Sequence, residues 1–209
     1  KILKETAISC EKNQHLLENR MTQIENLEDS IHFNLCMLCT TAEQPMSNYL
    51  DKLSAVRNNI ASIADSFNIY HVNIFLPDDS FASKEGLTFC SLSDLKKYKV
   101  QLSDFSKQGL TPNWIFRKDI NFPYMVSKGE EPSGVLSCYR YAKINSQKTC
   151  LAVHITSEEL SNYLNTFSEG NPSLSYIINS EGVVLSSTDK KQIGGSLSNE
   201  KLHAITQNL

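Results

Sequence analysis

Between Ile2 and Leu38 the chain contains neither glycine nor proline, and this one stretch limits what the rest can build. Leu17, Ile24, Ile31 and Leu38 recur every seven residues, and Met21, Leu27 and Leu35 fall between them on the same side of a helix. The pattern predicts one amphipathic helix from Lys1 to about Leu38, about 50 Å long at roughly 1.5 Å per residue, the length of a whole domain. Such a helix either lies along a sheet or winds on a second copy as a dimer-forming coiled coil. The seam is regular only from Leu17 onward, which favours packing on a sheet with dimer contact at the N-terminal part. The chain opens on Lys1 inside this helix, without a Met, and is expected to be an excised piece of a longer protein.

Pro45 and Ser47 mark the start of a second helix, striped by Leu50, Leu53, Val56, Ile60 and Ile63. Then the period changes. Residues 69–76, IYHVNIFL, are β-branched and aromatic and read as a strand stopped by the turn Pro77-Asp78-Asp79-Ser80. A weaker strand, LTFCSL, follows, then a polar helix-like segment over 93–109 that closes at Gly109. NWIFR, residues 113–117, is a short strand, and residues 134–156 form a strong hairpin turning near Asn145-Ser146. Ser157 is expected to cap a helix that carries Glu158, Glu159, Leu160, Tyr163, Leu164 and Phe167, with Gly170-Asn171-Pro172 as its stop. The stretch SYIINSEGVVLSS, from Ser175 to Ser187, predicts a second hairpin with a type I turn at Asn179-Ser180-Glu181-Gly182. One helix follows it. The order predicts an α+β fold with an antiparallel sheet and then the start of a second sheet. Two strands are not stable alone, so the last hairpin must complete a sheet begun elsewhere or belong to one whose remainder is missing.

Composition narrows the function. A chain of 209 residues with 40% hydrophobic and 21% charged content can bury a real core. Its net charge of −3 and scattered Lys and Arg leave no basic face for phosphates, so nucleic acid is not an expected partner. No apolar run reaches the roughly 18 residues that a membrane span needs. The six cysteines include Cys36-Met37-Leu38-Cys39, a CxxC spacing that can mark a redox pair or half a metal site. It has no second CxxC or paired histidines and lies in an apolar helical run, so core packing is the preferred reading. In a pairing about Asn145-Ser146, Cys138 opposes Val153 and Cys150 opposes Tyr141, placing the two sulfurs on opposite faces, beyond a disulfide's reach. The cysteines are therefore expected to be mostly free.

No phosphate loop, HExxH, EF-hand loop or nucleophile elbow occurs. Asp78-Asp79 with Glu85 does not have calcium-loop spacing and reads as a solvated turn. Glu158 and Glu159 suit the dipole of a helix first turn. No catalytic residue, metal site or cofactor is expected. The same hairpin register puts Leu136, Cys138, Arg140, Leu151, Val153 and Ile155 on one face, expected to pack on the long helix with the Arg140 head near an edge or a carboxylate. Ser137, Tyr139, Tyr141, Ala152 and His154 share the other face, a mixture of rings, hydroxyl and imidazole suited to a small polar ligand. Trp114 and Phe116 are candidates for a further wall of that site and Tyr124 for its lid. The candidate ligand-binding set is thus Trp114, Phe116, Tyr124, Tyr139, Tyr141 and His154. Aromatic residues also dominate cores, so the same set reads equally as core filling.

The ordered series resembles the double Cache, PAS-like extracellular sensor domains of bacterial receptors, nearest to Gram-positive sensor histidine kinases of the YesM kind. The long helix leading to VNIFLPDDS, the NWIF strand, CYRYAK with KTCLAVHITSEELSNYL, and SYIINSEGVVLSSTDKKQIGGSL with its trailing Ile193-Gly-x-x-Leu197 carry the resemblance. The Arg-x-Trp-Tyr signature of amino-acid-sensing members is absent. The resemblance implies an N-terminal helical region over 1–68, a membrane-distal Cache module over 69–156, and a connecting helix with an incomplete membrane-proximal Cache module over 157–209. It implies an extracellular segment of a membrane-anchored parent, dimeric through the N-terminal helix, that binds a small polar solute, with a carbohydrate-related signal as the default class. The segment itself would not be an enzyme, the parent being an ATP-dependent histidine kinase. Alternatives are the input domain of a chemotaxis or cyclic-nucleotide receptor, and a secreted binding protein or enzyme.

Overall fold

The computed structural model describes residues 2–39, 46–80, 82–98, 100, 112–118, 131–144, 147–164 and 174–198. The first helix, α1, spans Ile2–Cys39, an unbroken 38 residues. Ile24, Leu27, Ile31 and Leu35 are buried in the core, and Leu17 and Met21 pack at its margin. The seven-residue seam therefore faces the protein, and the side chain of Leu38 lies outside the described residues. The opposite face carries Ile8 and Phe33, and Leu16 lies on the flank of the seam, all three exposed. Cys36 is half-buried at the core margin with its thiol 3.7 Å from His32 Nε2, and Cys10, Cys90, Cys138 and Cys150 are free.

The second helix, α2, covers Met46–Ser66. Of its stripe Ile60 is deeply buried, with Ala64 beside it, Leu53, Val56 and Ile63 are partly buried, and Leu50 is exposed. Asn68 takes the left-handed conformation at φ 49°, Ile69 N donates to Ala64 O at 2.8 Å, and Asn68 N donates to Asp65 O at 3.3 Å. These bonds satisfy carbonyls that a helix end leaves open, and they turn the chain into the sheet.

The five-stranded sheet runs in the order β2-β1-β5-β4-β3. Its strands are β1 (His71–Leu76), β2 (Phe89–Ser91), β3 (Asn113–Arg117), β4 (Val135–Ile144) and β5 (Gln147–Thr156). The sheet is antiparallel as expected except at one pairing: β1 and β2 run parallel. The connection between them reverses the chain twice. It holds a 3-10 turn at Ala82–Lys84, and Glu85 Oε2 accepts the backbone N–H groups of Leu87, Thr88 and Phe89. Asp78, in the turn before it, accepts from Ser93 N at 3.0 Å, which holds its carboxyl below the usual range. The polar segment after β2 is a 3-10 helix over Leu92–Tyr98 rather than an α-helix, and residues 101–111 lie outside the described ones. Cys138 opposes Val153 and Cys150 opposes Tyr141, as the hairpin pattern predicted.

One sheet face packs on α1 and α2 through Ile74, Leu136, Cys138, Leu151, Val153 and Ile155. The other forms a second core with Phe75, Tyr139, Cys150 and Ala152 against Cys90, Leu95 and Val100. After β5 a short helix, α3, covers Ser157–Ser161. Its N-cap is Thr156, whose side chain accepts from Glu159 N at 3.1 Å; Ser157 was the sequence expectation. Ser157 has another partner: its hydroxyl donates to Leu185 O at 2.7 Å, and Ser186 Oγ donates back to Ser157 O at 2.7 Å. Both serines are buried. They join the sheet to the hairpin of β6 (Tyr176–Ile178) and β7 (Val184–Ser187). Its turn forms at the expected residues: Gly182 N donates to Asn179 O, and Asn179 Oδ1 accepts from Glu181 N and Val183 N. The Ile193-Gly-x-x-Leu197 segment then runs along β7, with Gly194 N to Val184 O and Val184 N to Gly195 O both at 2.8 Å. Gly134, beside the joint, is required: a Cβ there would stand 2.5 Å from Phe116 Cζ.

Glu28 sits wholly buried between α1 and β4. Cys138 Sγ donates to its Oε2 at 3.5 Å, and Arg140 Nε lies 3.3 Å away. The Arg140 guanidinium is also engaged by the Asp29 carboxylate and by Glu25 O, which places its head beside carboxylates as expected. Burial pushes the Glu28 carboxyl up from 4.5 to about 8, and the opposing pull of Arg140 does not offset it. A folded pKa above the unfolded one gives stability that is full below about 4.5 and is lost as pH rises towards about 8. Wild type should therefore lose stability relative to Glu28→Gln across that window, checked by urea titration from acid to mildly alkaline pH. In the same assay Ile31→Ala should cost about 2–5 kcal/mol, whereas Phe33→Ala, on the exposed face, should stay within about 0.5 kcal/mol.

Candidate functional site

On the sheet face away from α1, neighbouring strands contribute one side chain each to a buried polar line. Register sets it. His154 on β5 stands opposite Ser137 on β4 and His71 on β1, and Asn73 lies two residues along β1 on the same side. Ser137 Oγ is 2.7 Å from His154 Nδ1, and His154 Nε2 is 3.0 Å from Asn73 Oδ1. Asn73 Nδ2 donates to Leu87 O at 2.7 Å, so its Oδ1 is the acceptor. His154 therefore carries its proton on Nε2, and Nδ1 accepts the Ser137 hydroxyl. Burial, and then the neighbouring His71, hold the His154 pKa well below 6.5, in keeping with a neutral ring. The His71 ring stacks at 6.4 Å, and the Tyr139 ring meets His154 edge-on at 6.0 Å. Burial likewise raises the Tyr139 phenol, which stays protonated.

Serine, imidazole and amide in series have the connectivity of a nucleophile, its base and an orienting group. Ser137 and His154 are both 0% exposed, however, so no substrate atom reaches the hydroxyl. The line instead fixes a polar stripe of defined protonation beneath Tyr139 and Tyr141. Sequence reading singled out His154 and its face but missed Asn73. Its alternation with His71 on a strand was the available signal, and it becomes informative only once β1 is known to pair with β5.

The six candidate residues divide. Tyr139, Tyr141 and His154 share this face, with Tyr139 and His154 buried and Tyr141 half-exposed. Trp114 and Phe116 do not join them, a correction to the proposed wall. Trp114 pairs with Cys138 and Phe116 with Leu136, which turns both rings to the α1 side. There they line an apolar cavity of about 280 Å³ with Leu17, Met21, Leu160 and Leu185. Trp114 Nε1 also donates to Glu25 Oε1 at 2.9 Å. Tyr124 lies outside the described residues.

No family model and no curated protein matches this chain. Among solved structures, the periplasmic sensory domain of the Campylobacter jejuni chemoreceptor Tlp1 is similar in fold. The TM-score is 0.64 over 94% of this chain and 79% of that one, at 12% sequence identity. The chain thus has the α+β fold of a periplasmic sensory domain.

Ser137→Ala should leave His154 Nδ1 buried without a donor and cost about 1–3 kcal/mol in chemical denaturation. His154 is neutral in the fold and protonates near 6.5 when unfolded, so its contribution is full above that pH and is lost as pH falls below it. The difference in stability between wild type and His154→Gln should shrink on acidification by up to about 1.4 kcal/mol per pH unit. A difference that stays flat from pH 7 to pH 5, read by urea titration, contradicts the assignment.

Proposed function

We propose that this chain is the extracytoplasmic ligand-sensing part of a transmembrane receptor. The observation that carries the reading is its likeness, over 94% of its length, to a periplasmic sensory domain, in a fold whose sheet is docked on a 38-residue helix. The ligand is a small polar solute, with carbohydrate-related compounds as the first class to try. It is received at the half-buried Tyr141, the accessible rim of the sheet face on which Tyr139 and His154 are buried and act by holding that face in place. Binding favours one arrangement of the sheet and hairpin, and α1 carries that bias towards the membrane. This segment performs no catalysis. Exposed Ile8 and Leu16 on the N-terminal part of α1 support a homodimer contact there.

The output is a sensor histidine kinase in the reading that the sequence pattern favours. A chemotaxis output is the second reading, and the chemoreceptor identity of the structural neighbour supports it. A solute library, sugars first, tested by thermal shift on the chain should yield a compound that raises Tm in a concentration-dependent way. Tyr141→Ala should abolish most of that shift while leaving the unliganded Tm close to wild type. A compound that stabilises both proteins equally would place the sensing site elsewhere.

A further inference from the structure

On the α1 side of the sheet the core leaves a space unfilled. Side chains from four elements surround the apolar cavity of about 280 Å³: Leu17 and Met21 from α1, Trp114 and Phe116 from β3, Leu160 from α3 and Ile177 from β6. Packed interiors hold few voids larger than one water molecule. This one has about twice the volume of an engineered apolar cavity of roughly 150 Å³ that takes up benzene. Leu160 is fully buried. Leu17, Met21, Trp114, Phe116 and Ile177 are only partly buried against the core, and all five line the cavity. A space with such walls holds water poorly, and its lining forfeits contacts until something apolar enters.

Polarity enters at one point. Trp114 aside, Asn179 is the only polar side chain among the described residues of the lining, and no charged one belongs to it. The hairpin turn fixes Asn179 in place: its Oδ1 accepts from Glu181 N at 3.1 Å and from Val183 N at 2.9 Å. Its Nδ2 donates to none of the described residues. Trp114 Nε1 is already committed to Glu25 Oε1 at 2.9 Å, which holds the indole at the cavity wall.

We propose that this cavity binds a small neutral molecule made of one aromatic ring and a short chain that ends in a hydrogen-bond acceptor. The ring packs on Trp114, Phe116 and Met21, where ring–ring and sulfur–ring contacts add to burial. The acceptor meets Asn179 Nδ2. A carboxylate fits badly, because no cation lines the cavity and the Glu25 carboxylate stands beside Trp114. A sugar fits badly too, because one amide donor cannot satisfy its several hydroxyls. The occupant touches α1, the edge strand β3 and the hairpin together, and so strengthens the docking of the hairpin on the helix. The cavity lies across the sheet from Tyr139 and Tyr141 and takes a different class of ligand, so either site can fail without the other.

Trp114 is the only tryptophan of the chain, so its emission reports occupancy directly. Titration of the whole 209-residue chain with benzylacetone, a phenyl ring on a short ketone chain, should give a saturable change in that emission. Hydrocinnamate, the same ring on a charged chain, and glucose should give none. Ile177→Phe fills the space and should abolish the change. Asn179→Asp keeps the oxygen that the turn uses and suits the turn by residue type, but it removes the amide donor and should weaken benzylacetone by about tenfold. If circular dichroism shows that Ile177→Phe does not fold, Asn179→Asp decides alone. Phe33→Ala, on the exposed face of α1 outside the cavity lining, should bind as wild type. No saturable change at millimolar concentration, equal binding of hydrocinnamate or glucose, or unchanged affinity in Asn179→Asp or in folded Ile177→Phe overturns the proposal.

Discussion

The docking of α1 on the sheet is the contact on which the other contacts of this fold depend. Ile24, Leu27, Ile31 and Leu35 make one apolar seam with Leu136, Cys138, Leu151, Val153 and Ile155. Such burial is worth about 1.5–3 kcal/mol for each large aliphatic side chain. Specificity comes from the polar residues set into that seam. Asn13 donates to Tyr163 O, Arg20 to Phe67 O and to Glu159, Glu25 accepts from Trp114, and Glu28 and Asp29 meet Arg140. Each bond ends on a different part of the chain: the residues after α3, the end of α2, α3 itself, β3 and β4. A one-residue rotation or slide of the helix breaks them together and leaves Glu28 buried without its partners, a far larger penalty than the loss of an exposed ion pair.

The same logic explains how the hairpin is held. Two strands alone have too little core, yet β6 and β7 are fastened by the reciprocal Ser157–Leu185 and Ser186–Ser157 bonds and by Leu185 in the helix-side core. Ser157 opens α3, and α3 also supplies Glu159 to Arg20 of α1. The helix, the sheet and the hairpin therefore meet around five residues of chain, Ser157–Ser161. Under the proposed sensing function, this joint is where a change at the sheet would become a change at α1, since discrete hydrogen-bonded arrangements switch rather than deform.

What could be read from the sequence was local. The period of α1, the chemistry of the Asn179–Gly182 turn and the pairing about Asn145-Ser146 are each set by residues close in the chain, and each was legible. What escaped depended on neighbours distant in sequence. The parallel β1–β2 pairing rests on a connection tied by Glu85. The side taken by Trp114 and Phe116 rests on a β3–β4 register that no short turn fixes. The partners of His154 rest on β1 lying beside β5. Ser157 is the better cap by residue type, and only the arrival of β7, which takes its hydroxyl, leaves Thr156 to serve.

α1 and the sheet form one cooperative unit rather than a helix resting on a separate module. Native-state hydrogen exchange of the backbone amides reads this directly. Amides of residues 20–35 in α1 should exchange with the same opening free energy as those of β4 and β5, and Glu28→Ala should lower both by the same amount. Exchange of α1 at a clearly lower free energy, with β4 and β5 protection unchanged by Glu28→Ala, would contradict it.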